Sequence, residues 1–104
     1  MIARQWRGII RAEHVAEYIA YVWATGGGEY GRTPGNRGAW VMSRIDGDHA
    51  EIVALSFWDS RESIEAFAGP DIEQSVLYDE DAKYLLAPST ITHYDIAPDP
   101  AATE

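Results

Sequence analysis

The chain has 104 residues, room for one domain, and so short a chain has much surface for the core it can build, which contact with a second copy would relieve. It is 46% hydrophobic and 12% aromatic, a composition that excludes a disordered acidic chain. A formal charge of −9, with the basic residues scattered, excludes nucleic acid and anionic membrane as partners, and the absence of cysteine excludes disulfides and thiolate chemistry.

At the N-terminus Arg4 and Arg7 interrupt the apolar residues, and no apolar run nears the roughly 18 residues that span a bilayer, so a cytoplasmic protein is expected. Ile2 to Ile10 is rich in branched and aromatic residues and predicts a first strand. From Glu13 to Thr25 the apolar Val15, Tyr18, Ile19, Val22 and Trp23 recur at helical spacing, and Gly26-Gly27-Gly28 reads as the stop of that helix. The glycine run follows a helix instead of opening one, and no lysine follows at phosphate-loop spacing.

Glu29 to Asn36, with Gly31, Pro34 and Gly35, predicts a loop or a frayed helical turn. Ala39 to Ile45 alternates as a strand, Asp46-Gly47-Asp48 is a hairpin turn, and Glu51 to Trp58 is the return strand. Ser60 is a candidate N-cap for a second helix carrying Ile64 and Phe67, which Gly69-Pro70 ends. Ile72 to Leu86 is ambiguous between a helical turn and irregular chain, and Asp79-Glu80-Asp81 reads as a solvated face. Thr90 to Ile96 is the last strand, leaving residues 1–97 as one domain and 98–104 as a loose tail.

The order βαββαβ is the ferredoxin-like α+β arrangement, an antiparallel sheet with both helices on one face. The other face is left apolar and is expected to meet its copy in a homodimer.

With the elements in this order, particular residues acquire a family look. Met1-Ile2-Ala3-Arg4 with Trp6, Thr33-Pro34-Gly35 before Gly38, Phe57-Trp58-Asp59-Ser60, Ala66-Phe67-Ala68-Gly69 and His93-Tyr94-Asp95-Ile96 together resemble the antibiotic-biosynthesis-monooxygenase-like family over about residues 1 to 97. The resemblance implies a dimeric α/β barrel with a cleft between each subunit's sheet and helices, and a range of activities: cofactor-free quinone-forming oxygenases, haem-degrading oxygenases and members without known activity. The cofactor-free branch carries an Asn four residues before a Trp and a Tyr six after it. Here the Trp is Trp58, and the flanking positions are Ala54 and Ile64. The haem branch carries an Asn on the first strand and a His ligand, at positions that fall near Trp6 and near Leu77 or Tyr78.

Two residues could carry chemistry. His93, on the last strand, could act as a base beside Arg4 on a neighbouring first strand, with the guanidinium holding an oxyanion. The alternatives are a half-buried histidine satisfied by a carbonyl or carboxylate, and for Arg4 a stack on Trp6 or an ion pair to Glu51 or Asp95. His14 and His49 lie apart from His93, so no metal site is expected, and no other cofactor is expected either.

Trp6, Trp58, Phe67, Tyr78 and Tyr84 are the candidates to contact a flat ligand, with Tyr78 and Tyr84 preferred as donors over Tyr18 and Tyr21. The expected function is a cofactor-independent monooxygenase or related enzyme acting on a small flat aromatic or enolisable molecule. The alternatives are a non-catalytic, small-molecule-binding or stress-related dimer and, third, a haem-degrading oxygenase.

Overall fold

A computed structural model describes residues 1–100, so the expected loose tail at 98–104 lies partly outside the described residues. Four strands, β1 (Ile2–Arg11), β2 (Asn36–Asp46), β3 (His49–Trp58) and β4 (Thr90–Asp95), form one sheet in the order β2-β3-β1-β4. Each neighbouring pair is antiparallel. This is the strand order of the ferredoxin-like arrangement, in which β3 lies between β1 and β2. The hairpin turns at Gly47, whose φ of +66° is a conformation only glycine adopts without strain.

Between β1 and β2 the chain forms a short 3₁₀ turn (Ala12–His14), α1 (Val15–Val22), a wider π turn (Trp23–Gly27) and α2 (Gly28–Arg32). The expected stop at the glycine run is therefore corrected. Gly27 and Gly28 are right-handed helical, and a Cβ on Gly27 would sit 2.5 Å from the Trp23 ring. The glycine admits that ring while the winding loosens, so the helical path continues for another turn.

The helix α3 (Arg61–Ala68) begins as expected. The Ser60 and Ser63 side chains bond reciprocally to each other's backbone N–H at its start, in a capping box. From Ile72 to Glu80 the chain is irregular, and only α4 (Asp81–Tyr84) resumes helical form. Val76 and Leu77 are not part of a helix, because the segment is held by partners elsewhere in the fold.

Residues paired across strands share a face. Ile2, Trp6 and Ile10 of β1 therefore point the same way as Trp58, Ala54 and Ala50 of β3. These join Tyr18, Tyr30, Ile64, Ile72 and Tyr84 in one hydrophobic core, which places the helices on that side of the sheet. Trp58 is fully buried, edge-on to Tyr30 and tilted against Phe67. On the opposite face Trp40, Met42 and Tyr94 are about half exposed. Trp40 packs edge-to-face on Phe57 at 5.6 Å, and Arg7 and Arg44 both pair with Glu51 on the same face. No helix among the described residues is long and apolar enough to cross a membrane.

Candidate functional site

The helices do not seal the sheet. Between them opens a narrow cleft, with about 30 Å³ of room for the centre of a water-sized sphere. Its floor is Trp6 and Ala54 from the sheet; its walls are Tyr18 and Val22 of α1, Thr25 to Gly27 of the π turn, Tyr30 of α2, Phe67 of α3, and Val76, Tyr78 and Asp81. Gly26 and Gly27 bring bare backbone to this wall; the Trp23 ring fills the space beside Gly27, and the Tyr78 ring approaches Gly26.

Of the sequence-predicted contact residues, Trp6, Phe67 and Tyr78 line this cleft, whereas Trp58 and Tyr84 stand behind it. Trp58 is a wall of the core, and its Nε1–H donates to Ser56 Oγ at 2.8 Å. Tyr84 donates its hydroxyl to Glu17 at 2.8 Å and packs 5.0 Å from the Tyr18 ring. Tyr18, ranked behind Tyr84 on sequence, is the one that reaches the cleft, because its helix turns inward over Trp6.

Arg4 and His93 do come together. They are cross-strand partners, and Arg4 Nη1 lies 2.9 Å from His93 Nε2. An arginine can only donate, so His93 accepts at Nε2 and carries its proton on Nδ1, which lies 3.4 Å from Glu73. Burial, and then the neighbouring Arg4 charge, lower the His93 pKa from 6.5, which favours this neutral form. The other Arg4 bonds run to the carbonyls of Ile72 at 2.6 Å and Gln74 at 3.2 Å.

Arg4 is 1% exposed and reaches neither Glu51 nor Asp95; Glu51 is occupied by Arg7 and Arg44 on the opposite face. The pair thus ties two strands to the segment 72–74. That segment leads directly into Val76 and Tyr78 of the cleft wall. Behind Tyr30, Arg4 partly offsets the upward shift that burial imposes on the tyrosine hydroxyl.

A second polar cluster was not visible in the sequence. Asp81, expected to be solvated, is 5% exposed. Its Oδ1 accepts the Tyr18 hydroxyl at 2.7 Å, and its Oδ2 accepts the Tyr78 backbone N–H at 2.6 Å. Burial and the bond to Asp81 push the Tyr18 pKa well above its usual value, so the tyrosine stays a neutral donor. Both Tyr18 and Asp81 line the cleft. Among the described residues no three histidine, aspartate or glutamate side chains converge as metal ligands.

The sequence matches no protein-family model and no curated protein. Solved structures are similar in shape. A Bacillus cereus protein provisionally named an antibiotic biosynthesis monooxygenase superposes with a TM-score of 0.69 at 13% identity, covering 97% of each chain. One so named from Deinococcus radiodurans has a TM-score of 0.66 at 15% identity, over 100% of each chain. A Streptomyces coelicolor monooxygenase from the gene ActVA-Orf6, in complex with nanaomycin D, has a TM-score of 0.61 at 12% identity, over 99% of this chain and 91% of its own. Identity this low carries the fold alone. The chain shares the fold of these proteins.

Proposed function

We propose that the chain binds one small, flat, aromatic or enolisable organic molecule in this cleft and works as a homodimer. One observation carries the reading: Trp6, Tyr18, Tyr30, Phe67 and Tyr78 converge on a single cleft open to solvent. Aromatic walls stack on planar ligands and exclude water, while a few polar groups orient them. The dimer is supported by the open sheet face, where Trp40, Met42 and Tyr94 would otherwise meet water.

Turnover as a cofactor-independent oxygenase is the second reading. What favours it is the fold shared with the Streptomyces coelicolor monooxygenase solved with nanaomycin D. Against it stands the missing base. The His93 lone pair is held by Arg4, and neither residue lines the cleft.

Titration with one- to three-ring phenols, followed by tryptophan fluorescence, tests binding. Saturable quenching that weakens in Trp6→Phe and persists in Trp40→Phe is expected; no saturable change with any ring size would refute the reading. Oxygen uptake with a dihydroxynaphthalene above the buffer rate would establish turnover. Light scattering is expected to give a dimer, with Trp40→Glu shifting it to monomer.

A further inference from the structure

Resting on the aromatic-cleft reading, we infer that the bound molecule is cationic: the cleft recognises an aromatic ligand bearing a protonated amine, seated against the Asp81 carboxylate. Three observations lead there. Asp81 is the one formal charge among the lining residues, and it is negative. Its two bonds inside the protein come from neutral donors, the Tyr18 hydroxyl and the Tyr78 N–H. A carboxylate has about four acceptor sites, so two bonds leave capacity for a donor arriving from the cleft. A carboxylate out of water gains most from a charged donor, since charge-assisted bonds are roughly twice as strong as neutral ones.

The rest of the wall suits the same ligand. Five aromatic side chains offer negative ring faces, which attract an ammonium and give nothing comparable to an anion. The nearest cations are engaged elsewhere. Arg4, behind Tyr30, is held by His93 and two carbonyls, and Arg32, near Tyr78, pairs with Glu29 at 2.8 Å. Neither is among the residues lining the cleft. An anionic ligand would face Asp81 with no partner for its charge.

Three probes of one shape separate the charge states at neutral pH: benzylamine as its cation, benzyl alcohol, and benzoate. On the native protein, with tryptophan quenching or chemical-shift titration as readout, the cation is expected to bind at least about ten-fold more tightly than the alcohol, and benzoate to show no saturation. In Asp81→Asn the preference for the cation over the alcohol should fall towards one while alcohol binding persists. Alcohol and cation binding equally to the native chain, or benzoate binding best, would overturn the inference and leave the aromatic cleft standing. Failure of all three probes would remove both. The native series decides the matter even if the variant does not fold.

Discussion

Two buried polar clusters flank the same cleft, and they differ in what remains for a ligand. Around Arg4 every strong bond ends on the protein: two loop carbonyls and His93. Around Asp81 the bonds come from neutral groups, and the residue is part of the cleft lining. Taking a charge out of water costs several kcal/mol unless partners replace the water. The first cluster meets most of that cost with protein groups, leaving Arg4 Nε and His93 Nδ1 buried without a hydrogen bond, and so positions the 72–78 segment; the second gives each carboxylate oxygen one neutral donor and keeps lone pairs for a further partner. A reactive-looking pair of residue types, arginine beside histidine, is here the structural one.

The sharpest way to break this contrast is Arg4→Ala. It strips partners from His93 and two carbonyls and leaves a large void, so a loss of about 3 kcal/mol is expected, seen as a melting temperature lower by roughly 10–20 °C. Arg4→Met, which refills the volume, should recover part of it. A melting curve unchanged in Arg4→Ala would mean that the clamp holds nothing.

Tyr18→Phe should cost less, about 1–2 kcal/mol in denaturant unfolding, since Asp81 loses a donor while the ring stays packed. Unlike Arg4→Ala, it should leave the preference for benzylamine intact or raise it, because the carboxylate then has fewer partners. Equal loss of stability and of preference would make the two clusters alike.

Smaller still is the effect at His93. Gln can accept from Arg4 in its place, so His93→Gln is expected to lie within about 1 kcal/mol of the native chain, whereas His93→Ala strands the guanidinium and should cost roughly 1–3 kcal/mol. If turnover is found, Gln retaining it would mark His93 as a positioning residue; loss in Gln at unchanged stability would mark it as the base.

The gentlest probe is pH. His93 has its folded pKa below the unfolded 6.5, so its contribution is fully present above 6.5 and is lost as pH falls from there through the lowered folded value. Acidification through this window should destabilise the native chain more than His93→Gln. Parallel stability curves for the two would mean that His93 does not titrate against Arg4.

What was legible in the sequence is what short-range periodicity encodes. The hairpin about Gly47, the capped start of α3 at Ser60 and the alternation of β1 needed only neighbours along the chain. The meeting of Arg4 with His93 followed from strand order, since β4 joins β1 and residues facing each other share a side. Three features waited for the tertiary structure. The glycine run continued its helix because Trp23 lies over Gly27, a use of glycine that composition does not distinguish from a stop. Trp58 matched a family position yet sits behind the cleft, because its depth depends on Tyr30 and Phe67. Asp81, inside an acidic run, was buried by a bond to Tyr18, 63 residues earlier. No local signal marks such a partner, because the carboxylate's burial is decided by how α1 and the 72–84 segment pack, not by the residues beside it.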